Sequence, residues 1–337
     1  MIITQQDALH RHLSAFVDWI ATEPQREETI RDQADEIRSR ICAQAKDDGL
    51  TVRSTPWSGS YKKRTGLRRH MHGKNPIEGQ DVDLPFVVSP VTVDDEKLSS
   101  LLSRFAKYAQ NSYPATNRRP TRSSVKLSFA GTKLSYDLVP MLATASDDRQ
   151  ILIRQDGDRR ETSVQKHIEF VTSRTRASND MPGRVKFNEC VRLFKWWREV
   201  MTEGDVERVP TMPVELLCAY AFDKHGVERT YPDTLLKWFG FLANAVSKRS
   251  PIYFADYVKW TNPPSFTPWA VVDPVNPKNN VASGFKNLDV DMIASWLESA
   301  RDAVAQAMSQ DLDGNENAAL EALVPVFGSP VLNHGAN

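Results

Sequence analysis

The sequence predicts an α+β protein: a lobe built on a mixed β-sheet with helices behind it, followed by a lobe of helices alone. Three observations carry this reading. Strand-like alternation is confined to the first 160 residues. Helical periodicity governs residues 161–310. Four prolines within 262–274 forbid a helix there and interrupt the second half. The boundaries follow: 1–160 for the sheet lobe with its N-terminal helices, 161–310 for the helical bundle, and 311–337 for a tail expected to be loose.

Residues 7–22 put Leu9, Leu13, Phe16, Val17 and Ile20 on one helical face, and 26–46 repeat the pattern with Ile30, Ala34, Ile37, Ile41 and Ala45. "TVRSTPWSGSYKKRTG", from residue 51, reads as a strand running into a loop. Residues 62–80 are basic and turn-rich, with Lys62, Lys63, Arg64, Arg68, Arg69 and Lys74 around the breaker "HGKNP". "GQDVDLPFVV" (79–88) then alternates Val82, Leu84, Phe86 and Val88, the period of a half-buried strand. A helix is expected around 94–110, then a second basic loop with Arg118, Arg119 and Arg122, and strands at 124–130 and 132–142. Residues 146–160 read as an exposed, charged connection. Helices are predicted at 161–175, 184–202, 212–225, 232–248 and 287–309.

The totals exclude some functions. Forty-three Lys and Arg balance forty-three Asp and Glu, so no net field draws the molecule onto duplex nucleic acid or an anionic membrane. The absence of an apolar run of about 20 residues and of a leader pattern predicts a cytoplasmic protein. Cys42, Cys190 and Cys218 are far apart, odd in number and without zinc spacing, so core thiols are expected.

The chemistry centres on two aspartates. Asp81 and Asp83 share the strand face opposite the apolar set, with Cα atoms roughly 6.6 Å apart at about 3.3 Å per residue. "TKLSYDLVPML" (132–142) is a second alternating strand, with Leu134, Tyr136 and Leu138 on one face and Ser135 and Asp137 on the other. If the two strands pair, three carboxylates converge and repel unless cations neutralise them. Hard divalent ions suit oxygen ligands, and Mg²⁺ is the natural choice when phosphates complete its shell. Two such ions about 3.5–4 Å apart are the usual apparatus of in-line phosphoryl transfer. Upstream, "SGSYKK" (58–63) sets a Gly-Ser turn between a strand and a helix, offering N–H groups and a hydroxyl to a phosphate. Singly, each motif has a plain reading, a solvated strand end and an ordinary loop.

In this order, G-S, D-x-D and the lone Asp of "YDLVP" resemble the DNA polymerase β-like nucleotidyltransferases. "FNECVRLFKWWRE" (187–199), "VPTMPVELLCAYAF" (209–222) and "AVVDPVNPKNNVA" (270–282) are similar to blocks of oligoadenylate synthases and of bacterial CD-NTases, relatives of cyclic GMP–AMP synthase that make nucleotide second messengers in anti-phage (CBASS) defence. The resemblance covers roughly residues 10–310. It implies a polymerase β-like lobe plus a helical lobe, with the nucleoside triphosphate in the cleft between them. It also implies roles: Asp81 and Asp83 as ligands shared by two metal ions, Asp137 as third ligand beside the attacking ribose hydroxyl, Gly59 and Ser60 as the donor-phosphate turn, and Lys195 and Thr211 as contacts to the donor phosphates. Met212 stands where several relatives have a base-stacking Tyr; Tyr61 and Tyr220 are the candidate substitutes. The Ser60–Asp81 spacing exceeds that of the animal enzymes.

The function so implied is synthesis of a cyclic di- or trinucleotide from NTPs, ATP among them, with two Mg²⁺ ions (Mn²⁺ as a substitute) and release of pyrophosphate. The activator would be a regulatory protein or a phage product, since no zinc-binding insertion or broad basic surface points to DNA sensing. One rival is linear oligonucleotide synthesis, or nucleotide transfer to an RNA end or a small molecule. Another is a non-catalytic nucleotide or RNA sensor, whose mark would be loss of an acidic ligand. Other features have plain readings beside the functional ones. Lys195 reads as a solvated helix face, Trp196 and Trp197 as packing, and His70 and His72 as exposed imidazoles rather than a metal pair. Asp273 and Asn279 read as an Asx-capped turn, and "VFGSPV" (326–331) as a structural block. The Arg118–Arg122 loop is either solvated or in touch with phosphates of an acceptor or product.

Overall fold

A computed structural model describes residues 7–72, 75–77, 81–90, 100–202, 209–257 and 266–334. In chain order the elements are α1 (Asp7–Ile20), α2 (Pro24–Asp47), β1 (Val52–Ser54), α3 (Gly59–Lys63), β2 (His70–His72), β3 (Asn75–Ile77), β4 (Asp81–Val88), α4 (Leu101–Ser112), β5 (Asn117–Pro120), β6 (Val125–Phe129), β7 (Leu134–Ala143), β8 (Gln150–Ile153) and β9 (Arg159–Thr162). Helices follow: α5 (Val164–Asn179), α6 (Phe187–Thr202), α7 (Thr211–His225), α8 (Tyr231–Ser247), α9 (Asn287–Leu312), α10 (Glu316–Phe327) and α11 (Pro330–Asn333). Two compact units result. One holds Thr22–Gly66 and Glu78–Glu169; the other holds Met1–Ala21, Leu67–Ile77 and Phe170–Asn337.

The first unit is a mixed sheet in the order β1-β4-β7-β6-β5, with β8 on the far part of β7 and β9 outside β8. Only β4 and β7 run parallel among the described pairs. The apolar alternation of β4 buries Val82, Leu84, Phe86 and Val88 completely, beside Tyr136 and Leu138 of β7. The 30/34/37/41/45 stripe of α2 and Leu101 and Phe105 of α4 join the same core. Arg104 of α4 is bonded to Asp48 (Nε–Oδ2 2.7 Å), which fastens α4 to the end of α2. One whole face of the sheet is therefore committed to the helices, and the carboxylates must face the other way.

The second unit is helical. α1 puts its 9/13/16/17/20 stripe into this core rather than against the sheet. Phe194 and Phe239 stack at 4.4 Å, and Trp196 and Trp197 are both buried. Burial pushes the Cys190 and Cys218 thiols well up, and all three cysteines are free. Among the described residues no helix is long and apolar enough to cross a membrane.

Three expectations need correction or limits. Residues 146–160 are not a plain connection: β8 and β9 form a hairpin, turned at Asp156-Gly157 with Gly157 at φ +82°. That Asp-Gly pair is a hairpin signal in the sequence itself. Residues 311–334 are not loose, because α10 and α11 bury Leu323, Phe327 and Val331. The Trp196 indole donates to the Phe327 carbonyl at 2.9 Å, and a His12 ring nitrogen is bonded to the Val331 carbonyl at 2.5 Å. Short apolar stretches among Gly, Asn and Pro gain order from the core they join, which local composition does not reveal. Of the helix expected at 94–110, the start lies outside the described residues and α4 covers the rest.

Candidate active site

β4 and β7 pair in parallel, with Asp83 directly opposite Asp137 and Asp81 opposite Ser135. Neighbouring strands lie about 4.8 Å apart, so Asp83 and Asp137 stand side by side on the face turned from the core. Asp81 falls on the same face by the two-residue period, and its side chain lies outside the described set. Among the described residues no cluster of three metal-binding side chains occurs, which leaves the Asp83–Asp137 pair as the acidic centre. Two carboxylates in register supply hard oxygen donors, a set that fits a divalent Mg²⁺-type ion and no soft metal.

The Gly-Ser turn is built onto this pair. Gly59 adopts φ +69°, and a Cβ built on it would fall 3.1 Å from the Asp83 carboxyl carbon and nearer still to Oδ2. Glycine is thus required twice, for the left-handed backbone and for close approach. Ser60 is half-buried on the first turn of α3, where its carbonyl accepts from the Thr65 N–H at 3.0 Å.

A cleft of about 410 Å³ opens over the acidic face, lined by Ser58, Asp83, Asp137, Ser124, Lys126 and Arg119 among others. The Ser124 hydroxyl donates to Asp137 Oδ1. Thr121 Oγ1 lies 2.7 Å from Ser124 Oγ and accepts from the Ser124 N–H at 3.0 Å. These hydroxyls fix the orientation of Asp137. Sequence reasoning missed them. The alternation of Val125 and Leu127 already put Ser124 and Lys126 on the acidic face, but which residue they oppose depends on strand register.

The remaining candidates lie in the helical unit. Lys195 is not on a solvated face: its side chain is 4% exposed and its ammonium pairs with Glu215 at 2.6 Å, itself 7% exposed. Thr211 begins α7, and its hydroxyl accepts from Arg198 at 2.6 Å. Burial lowers the Arg198 guanidinium to about 10. Met212 packs against the helical core. Tyr220 faces Phe241 at 5.3 Å, whereas Tyr61, in the sheet unit, packs on Trp57 at 4.9 Å. His70 packs edge-on to Trp19 at 5.0 Å; the His72 side chain lies outside the described set. Asp273 accepts from the Val275 N–H at 2.8 Å and the Asn279 amide at 3.0 Å, the capped turn expected of it.

The Lys195–Glu215 pair gives a stability prediction. Lys195→Ala leaves Glu215 buried without its cation, which should cost about 3–5 kcal/mol. Lys195→Met combined with Glu215→Leu removes both charges and should cost far less. Chemical denaturation of the three proteins checks this. Equal losses for the single and double variants would show that the pair carries no such coupling.

An aspartate strand paired in parallel with a second acid, approached by a Gly-Ser turn on a mixed sheet, is the arrangement that the resemblance to DNA polymerase β-like nucleotidyltransferases implies. Comparison with known proteins narrows this. The Second Messenger Oligonucleotide or Dinucleotide Synthetase (SMODS) domain matches residues 8–174. Cyclic AMP-AMP-AMP synthase of Escherichia coli (strain MS 115-1) is 28% identical over 309 residues, 88% of this chain and 91% of that protein. The CBASS oligonucleotide cyclase CdnC of E. coli (strain KTE188) is 28% identical over 267 residues, 76% of this chain and 78% of that protein. Solved structures of E. coli MS115-1 CdnC with ATP and in a HORMA-deltaN complex are 27% and 26% identical, with TM-scores of 0.76 and 0.74, each covering 95% of this chain and 98% of that one. Over residues 8–174 the chain thus carries a second-messenger nucleotide synthetase domain, and along most of its length it is similar to bacterial CD-NTases of cyclic oligonucleotide synthesis.

Proposed function

We propose that this enzyme joins ATP into a cyclic triadenylate with two Mg²⁺ ions, releasing pyrophosphate at each transfer. The observation that carries the reading is the register of Asp83 against Asp137 beneath Gly59. The choice of adenosine and ring size leans on the relative named for cyclic AMP-AMP-AMP. Divalent ions held by Asp81, Asp83 and Asp137 would neutralise charge developing at the donor α-phosphate. The chain's own residues do the rest. Asp137, oriented through Oδ1 by Ser124, accepts the proton of the acceptor ribose hydroxyl. The hydroxyl oxygen bonds the α-phosphorus as the bond to the bridging oxygen breaks, and pyrophosphate leaves with that electron pair. Gly59 and Ser60 hold the departing phosphates. Lys195 and Thr211 are assigned to the donor phosphates by resemblance, not by geometry. A HORMA-type protein is the proposed regulator, by analogy with the CdnC complex, and the cytoplasm, where NTPs are abundant, the proposed site of action.

The test is product analysis. The protein, alone and with a HORMA partner, is incubated with equal amounts of four NTPs and Mg²⁺, and products are identified by mass spectrometry after phosphatase treatment. A phosphatase-resistant ring of three AMP units, absent when metal is chelated, is the expected result. Phosphatase-sensitive chains bearing a 5′-triphosphate as final products would favour the linear rival. A ring of other bases or size would overturn the triadenylate assignment alone.

A further inference from the structure

We propose that Arg38, buried on α2, is a positioning residue of the donor-phosphate turn: it holds Trp57 in place and acts by its charge on phosphates at Ser58-Gly59-Ser60 without touching them. The inference rests on the nucleotide-transfer reading above. The composition of α2 raises the question. Its buried positions are Ile30, Ala34, Ile37, Ile41 and Ala45, all apolar, and Arg38. Arg38 is 8% exposed, yet the carboxylate it pairs with, Asp35 (Nη1–Oδ1 2.9 Å), is 61% exposed. Its Nε and Nη2 are buried and meet no hydrogen-bond acceptor among the described residues. A cation so placed is costly, and a Met or Leu would fill the space as the rest of the stripe does. Packing alone therefore does not account for a guanidinium here.

What the guanidinium does meet is Trp57. Its central carbon stands 3.9 Å from the centre of the indole ring. An aromatic face offsets part of the cost of a buried cation and fixes its plane. Trp57 leads directly into Ser58-Gly59-Ser60, and Tyr61, just after those three residues, packs back on it with ring centres 4.9 Å apart. Both rings are anchored on the core of the sheet. The turn between them carries Gly59 against the Asp83 carboxylate. Arg38, Trp57, the turn and Asp83 thus form one packed chain from α2 to the acidic face. The polyanion that the proposed reaction brings to this chain is the donor triphosphate. Its charge supplies at binding what the buried guanidinium lacks in the free protein, because Coulomb attraction reaches across several ångströms of protein where little water intervenes. Lys62 and Arg64, which follow the turn, are exposed, so salt screens them; a buried Arg38 is screened far less.

The test reads charge apart from packing. The probe is an ATP analogue with a methylene in place of the α,β-bridging oxygen, which cannot release pyrophosphate, with Mg²⁺; adenosine is the ligand without phosphates. Affinities come from equilibrium dialysis. Arg38→Met keeps the length of the side chain and removes its charge. It should bind the triphosphate about tenfold more weakly than the wild type, the effect of one charge on an anion roughly 10 Å away through protein. It should bind adenosine as before, melt at or above the wild type without nucleotide, and keep its tenfold deficit at high salt. Arg38→Lys should retain most of the affinity, and Asp35→Asn should match or exceed the wild type. Equal losses for triphosphate and adenosine, with a lower Tm, would make Arg38 a packing residue and overturn the proposal. If Arg38→Met does not fold, the other two variants decide: a tenfold loss of triphosphate affinity in either overturns it as well. Ser60→Ala separates this proposal from the reading it rests on. Weaker triphosphate binding in Arg38→Met but not in Ser60→Ala would keep the buried cation and remove the turn as the donor site. The reverse would keep the turn and overturn the part given to Arg38.

Discussion

Asp83→Asn or Asp137→Asn is expected to lower nucleotide transfer by about a thousandfold or more while leaving the fold intact. At 1.36 kcal/mol per decade that is roughly 4 kcal/mol of transition-state stabilisation. The two carboxylates oppose each other directly on parallel strands. Their proximity is costly in the metal-free protein and useful only when cations neutralise it. The amide keeps the shape and removes the charge. Two readouts therefore move in opposite directions. With metal chelated, either variant should melt at or slightly above the wild type, because a repulsion is relieved. With Mg²⁺ added, the wild type should gain stability by mass action, and the variants should gain little. Asp81→Asn is expected to follow the same pattern. Wild-type turnover from a folded Asp137→Asn protein would sink the two-metal reading. A Mg²⁺-induced rise in Tm equal in all forms would move the metal away from this pair.

Much of this site is legible in the sequence because it rests on a two-residue period. Val82, Leu84, Phe86 and Val88 dictate which face is buried, and the opposite placement of Asp83 between them follows without further information. The same holds for Leu134, Tyr136 and Leu138 against Asp137. What the sequence does not carry is the offset between strands. Whether Asp137 meets Asp83 or Asp81, and whether Lys126 or Ser128 meets Asp137, depends on how distant segments pair. The Ser124–Asp137 bond and the place of Lys126 opposite Asp137 are hidden for that reason. Lys195 shows a second limit. Helical period places it on a face, but that face meets Glu215 in a packed interior, and an amphipathic pattern weakens wherever a buried ion pair replaces apolar contact. The short helices at 316–333 were obscured because their apolar residues are few, each deeply buried by the helices they pack on.

Gly59→Ala is expected to be far more damaging to turnover than to stability. Its backbone sits at φ +69°, where an L-residue costs about 1–2 kcal/mol. That strain alone lowers Tm by several degrees and leaves chemistry untouched. The added methyl, however, meets the Asp83 carboxyl group, with its carbon at 3.1 Å. The atoms in conflict belong to a side chain rather than to backbone, so the cheapest relief is to rotate Asp83 away. A displacement of about 1 Å at a reacting centre costs on the order of a hundredfold in rate. The expected result is a folded protein with at least that loss, and with a higher Mg²⁺ requirement because one ligand has moved. Gly157 supplies the control. It lies at φ +82° in the β8–β9 turn, and a Cβ there meets nothing within 4 Å. Gly157→Ala should carry a similar backbone penalty and keep full activity at temperatures where both variants are folded. If Gly59→Ala matches Gly157→Ala in turnover and in Mg²⁺ dependence, the close packing of the turn on Asp83 has no part in catalysis, and Gly59 is needed only for its backbone conformation.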